Sequence, residues 1–470
     1  MHVHYQCMHA VFYDLETSDK NPIGQIVNYC FIYVDEQLRP INELSGLIKL
    51  SRLQIPDAGA ILANRTDVLK HQRAAQDYEP EAMNAIAEFL QSCIVGAKGA
   101  VALIGYNSAR FDLSYLRTSL VRNGINPYFD QQLVPRDLLH SVHKAYLASP
   151  RFRELVLKQR AGEKKLSLSL QTVGHALGLL EGVQAHESRE DVVLTLKVAE
   201  WLRRECDIDP ITFEGYEGLR MHSTARSGSV YFQQQPEYEL DVGEVSSKTP
   251  VTLLDASNKA GLWVDLERYS NKQSPECIMW RSAGKHAFFL TPQASDDPEL
   301  RRLARAAMTQ FKGITLKNFF KPSTCDVEMD IYRLDFDNLG VFVKAVQAND
   351  KKLLDQCTIP EAKILWTRRL LANPRASISD PKTAEMLRQY ALYRYGGKLQ
   401  LARAISDRDE QDDSTFHPSL ADMVHRLMQS REAAVASRNL EDQQLLVSLE
   451  AFVRDSDIVR VAGEELLPHW

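Results

Sequence analysis

The sequence predicts an α/β domain with a mixed sheet over residues 8–205, a β-rich domain over 206–355 and a helical domain over 356–470. Three features carry this expectation. Before residue 205, short runs rich in Val, Ile, Tyr and Phe alternate with stretches of helical apolar spacing. Between Val230 and about Val346, short strand-like segments such as VTLLDA (251–256), AGLWVDLE (260–267) and KHAFFLTP (285–292) are divided by turn residues. Beyond Pro360, segments such as AEMLRQYALYRY and LEDQQLLVSLEAFVRDS have helical periodicity. A chain of 470 residues is too long for one compact core, so division into two or three domains is expected.

Within the first domain, Ala10–Glu16 and Gln25–Asp35 predict strands, and Leu47–Leu53 alternates loosely as a third. Pro80–Ile94 predicts a helix, Val101–Tyr106 a strand, and Arg110–Arg122 a helix closed by Asn123-Gly124. A last helix is expected over Ser188–Glu205, followed by a Gly- and Pro-containing linker from Asp207 to Ser229. SDRDEQDDS (406–414) reads as an acidic polar loop.

No run approaches the ~20 apolar residues of a membrane span, and Met1–Ala10 has no basic segment leading into an apolar one. The seven cysteines are scattered without a C-x-x-C, which argues against a disulfide framework or zinc cluster and for a reducing, cytoplasmic setting. The net charge of −6 supplies no global basic excess, so any contact with nucleic acid must use a local basic groove.

Asp14-Leu15-Glu16 ends the first predicted strand. Residues i and i+2 of a strand share a face, so the two carboxylates project together. They repel unless a cation sits between them, and Mg²⁺ prefers such oxygen ligands. D-x-E alone is common, and taken alone the pair reads as two solvated charges at a strand end. Asp112 follows an apolar strand and a Gly/Asn turn in Gly105-Tyr106-Asn107-Ser108-Ala109-Arg110-Phe111-Asp112. It could simply complement a helix dipole, and Asn107 could simply cap. His186 and Asp191 stand at H-x₄-D spacing at the start of the last helix, with Glu190 competing for the acidic role.

In this order, D-x-E, a post-turn Asp and H-x₄-D resemble the His-containing branch of the DEDD exonuclease superfamily. FYDLETSD (12–19), IGYNSARFDLSYL (104–116), RDLLHSVHKAYL (136–147) and LSLSLQTVGHALGL (166–179) together resemble the exodeoxyribonuclease I family. Fainter echoes follow at Gln347-Ala348-Asn349 and Tyr393-Arg394. The resemblance implies a ribonuclease H-like exonuclease domain, an SH3-like β domain and a helical C-terminal domain. It implies 3′→5′ digestion of single-stranded DNA to 5′-mononucleotides in repair or recombination, by a monomer. It assigns catalysis to Asp14, Glu16, Asp112, His186 and Asp191. Two Mg²⁺ ions, replaceable by Mn²⁺, would lie on Asp14, Glu16, Asp112 and Asp191, with His186 as the base.

Substrate contacts are expected from Thr17, Asn107, Arg110 and Phe111. Channel contacts are expected among Tyr231, Phe232, Lys312, Lys317, Phe319, Phe320 and Lys321. The family's Thr-Gly-Ile element is replaced by Asn64-Arg65-Thr66. The family also binds the acidic C-terminal tail of single-stranded-DNA-binding protein. Here that implies Gln347 and Lys352, with Arg368 and Arg369 near the place where an Arg is expected and Leu371 stands. Two alternatives remain: an RNA 3′ exonuclease of the same branch, and a catalytically silent nucleic-acid-binding scaffold.

Overall fold

The computed structural model describes residues 9–20, 24–182, 187–218, 228–240, 245–257, 259–291, 294–319, 336–358, 361–373, 377–396 and 419–467. Strands β1 (His9–Thr17), β2 (Ile26–Val34), β3 (Pro40–Leu47), β4 (Val101–Gly105) and β5 (Leu133–Asp137) form a mixed sheet in the order β3-β2-β1-β4-β5. β4 runs parallel to β1 and β5 to β4, whereas β2 is antiparallel to both β1 and β3.

Helices α1 (Ala58–Ala63) and α2 (Val68–Ala74) follow β3. Next come α3 (Glu79–Ala97), α4 (Asp112–Arg122), α5 (Leu138–Ala148), α6 (Pro150–Gln159), α7 (Leu170–Ala176) and α8 (Ser188–Cys206). The period-two alternation of β1 divides the core. Val11, Tyr13 and Leu15 pack towards α3 and α4, and Ala10 and Phe12 pack towards α5–α8.

Two strands differ from expectation. The third lies at 40–47 rather than 47–53, because PINELSGL is a largely exposed edge strand with few apolar residues. Edge strands tolerate such polar sequences, which hide the strand signal. β5, LVPRD, is the other edge, the only kind of position where Pro135 fits a ladder.

The second sheet contains β6 (Val230–Pro236), β7 (Ser246–Ala256), β8 (Ala260–Asp265), β9 (Ile278–Ser282) and β10 (Phe289–Leu290), in the order β10-β6-β7-β8-β9. All its pairings are antiparallel. It carries α9 (Leu266–Asn271), α10 (Pro298–Gln310) and α11 (Leu316–Phe319). Ala304 and Ala307 of α10 pack on Val230, Leu262 and Val264. The 207–229 stretch is more than a linker: Tyr216 is buried, and its hydroxyl accepts from the Trp263 indole N–H at 3.0 Å. Tyr231 and Phe319 also pack into the hydrophobic clusters of this domain.

The last helices are α12 (Phe336–Ala348), α13 (Glu361–Leu371), α14 (Pro381–Tyr395), α15 (Leu420–Ala436), α16 (Leu440–Arg454) and α17 (Asp457–Leu466). They pack directly on the first domain. Phe342 of α12 and Leu365 of α13 share a cluster with Val121 of α4. Gly124, at φ 75°, leaves the space that Val346 fills; a Cβ there would meet that side chain at 2.5 Å. Beneath this contact Glu79 is enclosed by Arg122 and Arg368, all three buried. Residues 406–414 lie outside the described residues. Among the described residues, no helix is long and apolar enough to cross a membrane.

Candidate active site

Pairing between β1 and β4 covers His9–Phe12 against Val101–Ile104 and ends there. Asp14 and Glu16 thus lie past this ladder, at the carboxyl ends of parallel strands, where open α/β sheets form their ligand crevice. Asp14 and Glu16 lie on this free end of β1, both half-buried, with Leu15 between them in the core. α8 starts above the same face. Its N-terminus is tied to the sheet by Ser188, whose hydroxyl donates to Asn28 at 2.8 Å, and by the Arg189–Glu43 ion pair at 2.7 Å. Asp191, one helical turn in, is therefore buried against β1, and the neighbouring Glu190 points to solvent. One carboxylate oxygen from each of Asp14, Glu16 and Asp191 lies within 4.8 Å of the others.

Asp112 opens α4 and is 6% exposed. Its own backbone N–H and that of Leu15, on the stretch of β1 beyond the β4 ladder, favour its ionised form. Burial and neighbouring negative charge both resist ionisation of these carboxyls. Burial, then Asp112 and Asp191, raises Asp14 well above the usual range. Burial, then Asp14 and Asp191, pushes Glu16 up to about 9. Asp112 is raised by burial first, with further contributions from Asp137 and Glu16. This converging, mutually repelling oxygen set fits a hard divalent cation, whose charge would offset the repulsion.

The loop before Asp112 has a tight form that explains its sequence. A Cβ on Gly105 would approach the Ser108 Cβ at 2.5 Å and a Tyr13 ring carbon at 3.1 Å. Tyr106 donates its hydroxyl to the Leu168 carbonyl. Asn107 has φ 58°, a left-handed backbone that Asn tolerates better than most residues. Gly105→Ala must therefore displace this loop. The expected outcome is a loss of about 1–3 kcal/mol of stability, checked by urea denaturation.

The remaining expected residues occupy varied settings. His186 lies outside the described residues; the following residue, Glu187, immediately precedes α8. Thr17 is buried and donates its hydroxyl to the Asp19 carbonyl at 2.9 Å. Asn107 and Arg110 are exposed at the crevice rim. Phe111 packs against Tyr115 with ring centroids 5.0 Å apart and the rings tilted at 51°. Gln347 and Lys352 are exposed on α12 and the turn after it. Arg368 is committed to Glu79, and Arg369 lies over the Trp366 ring at 5.5 Å. Phe320 and Lys321 lie outside the described residues.

Two features escaped the sequence reading. Asp137 is one, buried at the end of β5 and accepting hydrogen bonds from the backbone N–H groups of Asn107 and Ala109. The other is the 53–67 segment, which the C-terminal helices hold beside β1. Tyr395 donates to the Leu53 carbonyl at 3.0 Å and accepts from the Ile55 N–H at 2.9 Å. Arg426 pairs with Asp57 at 3.1 Å. Asn64 donates its side-chain amide to the Thr17 carbonyl at 2.9 Å. Arg65 stands at φ 54° and pairs with Glu441 and Asp442. Left-handed backbone is where glycine is favoured, and Arg65 adopts it as the middle residue of the triplet that departs from the expected Thr-Gly-Ile element. Only the departure from that element was visible in sequence.

No protein-family model and no curated protein sequence matches the chain. Solved structures do. The zinc-bound complex of Escherichia coli exonuclease I with single-stranded DNA is similar at a TM-score of 0.62 and 16% identity, over 97% of this chain and 100% of that one. E. coli exonuclease I in complex with a dA16 oligonucleotide gives 0.61 and 15%, over 95% and 99%. The moderately thermophilic exonuclease I from Methylocaldum szegediense gives 0.55 and 18%, over 96% and 100%. With the crevice and its acidic cluster described, the architecture has a name: this chain has the fold of exonuclease I.

Proposed function

We propose that this chain is a divalent-cation-dependent 3′→5′ exonuclease that degrades single-stranded DNA to 5′-mononucleotides, acting in repair or recombination. The observation that carries the reading is the convergence of Asp14, Glu16 and Asp191 oxygens within 4.8 Å, at a strand end flanked by Asp112. The structural neighbours crystallised with single-stranded DNA support the choice of substrate.

Asp14, Glu16, Asp112 and Asp191 would hold two Mg²⁺ ions, for which Mn²⁺ would substitute. Bound there, the ions would supply charge stabilisation for the attacking and leaving oxygens of an in-line displacement at phosphorus. His186, whose imidazole is the side-chain type suited to proton transfer at neutral pH, takes a proton from the attacking water onto a ring nitrogen. The bond broken is that between phosphorus and the 3′ oxygen of the penultimate nucleotide, so the released nucleotide keeps its 5′ phosphate. Asn107 and Arg110 at the rim, with Phe111 behind them, hold the terminal residue of the strand. The left-handed turn at Arg65, tied to the C-terminal helices, shapes the opposite wall.

Gln347 and Lys352 are the contacts proposed for the acidic tail of single-stranded-DNA-binding protein. Arg368, buried against Glu79, has no part in that surface. Digestion of matched DNA and RNA oligomers with Mg²⁺ tests the substrate. Faster loss of single-stranded DNA is expected. Preference for RNA favours the RNA exonuclease, and no digestion with either Mg²⁺ or Mn²⁺ favours the scaffold.

A further inference from the structure

We propose that Asp137 is a positioning residue, which holds the 107–111 loop so that Asp112 meets the other carboxylates. The inference rests on the proposed function for its catalytic consequence only. Asp137 ends β5 opposite Gly105 in the parallel register, and it is 5% exposed. One of its oxygens accepts from the backbone N–H of Asn107 at 2.8 Å and of Leu139 at 3.0 Å. The other accepts from the N–H of Ala109 at 3.1 Å.

The Leu139 bond is the ordinary N-cap of α5. The other two bonds are long-range and leave that element. They grip the chain on both sides of Ser108, immediately before the helix that carries Asp112. Ionised acceptors make stronger hydrogen bonds to backbone N–H than neutral ones do. They hold Asn107 in a left-handed conformation that a free loop would leave. The grip passes straight into α4, because the N–H groups of Phe111 and Leu113 both bond the Ser108 carbonyl, at 3.2 and 3.0 Å. Among the described residues, the carboxylate oxygens that converge within 4.8 Å are those of Asp14, Glu16 and Asp191, and Asp137 is not one of them.

Asp137→Asn separates the two roles. Asn caps a helix about as well as Asp, so α5 keeps its start. The new amide NH₂, however, faces a backbone N–H where an oxygen stood, and the charge is gone. The variant is expected to keep its Tm within a few degrees. Its Mn²⁺ affinity, measured without substrate by calorimetry, should fall roughly 10–100-fold, and kcat should fall by a similar factor. KM should rise as well, because Asn107, Arg110 and Phe111, proposed to hold the strand's end, lie in the same loop.

A folded variant whose Mn²⁺ affinity and kcat both match wild type overturns the proposal. Should Asp137→Asn not fold, hydrogen exchange of the wild type decides. Protection of the Asn107 and Ala109 amides comparable to β4 supports the grip, and exchange at exposed-loop rates overturns it. Failure of the exonuclease reading would show separately, as a wild type that binds Mn²⁺ and protects these amides but digests nothing.

Discussion

Asp14→Asn is expected to abolish cation-dependent digestion, by at least about 10³-fold in kcat, and to raise the Tm of the metal-free chain. Both effects have one cause. Asp14 repels Asp112 and Asp191 and is itself repelled, so its negative charge is unfavourable in the folded chain until a cation is bound. The neutral amide removes the repulsion and, with it, the ligand. Single-stranded DNA affinity, read by fluorescence anisotropy, should be largely retained, because the strand contacts lie elsewhere.

The sign of the pH dependence follows from the raised carboxyls. A carboxyl whose folded pKa exceeds its unfolded value of about 4 binds more protons in the folded state. Its ionisation therefore destabilises the fold progressively as pH rises through that window, which for Glu16 runs up to about 9. The Tm gain on adding Mg²⁺ should thus be larger at pH 8 than at pH 5 for wild type, and nearly absent for Asp14→Asn. Equal gains for the two proteins at both pH values would contradict a cation site at Asp14.

Glu79→Ala should destabilise the chain by about 3–5 kcal/mol, among the largest effects of any single substitution away from the crevice. Glu79 is fully buried between Arg122 and Arg368, which joins α3 and α4 of the first domain to α13 of the C-terminal helices. Arg122 also donates to the Gly24 carbonyl at 2.7 Å. Burial alone would raise the Glu79 carboxyl, but the two guanidiniums outweigh it and hold it below its ordinary range. Its contribution is therefore present above the unfolded pKa and is lost as pH falls through the lower folded value. Alanine leaves two buried cations without their anion. A urea titration followed by Trp366 fluorescence, beside Arg368 in α13, should show a lowered midpoint. Replacing all three residues with apolar ones of similar volume should restore much of the stability; a triple variant as weak as Glu79→Ala would show that packing, not charge, is responsible.

What the sequence disclosed and what it hid divide along physical lines. Asp14 and Glu16 followed from strand periodicity, a local rule, and β1 has that periodicity. Residue type alone left Glu190 competing with Asp191, and the resemblance chose Asp191; the orientation of α8 decides which acid faces the sheet, and Ser188 and Arg189 set it through β2 and β3. β3 was misplaced because an edge strand need not be apolar, and α10 was hidden among strand-like neighbours. Asp137 stood in a motif, yet its hydrogen bonds to Asn107 and Ala109 span two strands of the sheet and leave no local signature. Arg368 was a candidate for tail binding because it stands near the place where an Arg is expected, but its partner Glu79 lies 289 residues away on α3.

The central claim is that the acidic crevice hydrolyses single-stranded DNA from its 3′ end with the help of a divalent cation. Single strands labelled at the 3′ end in one set and the 5′ end in another, incubated with and without Mg²⁺, test it most directly. The account predicts immediate release of labelled mononucleotide from the 3′-labelled strand, stepwise shortening of the 5′-labelled strand, and no change without the cation. Early release of the 5′ label, internal cleavage, or equal digestion in the presence of a chelator would contradict it.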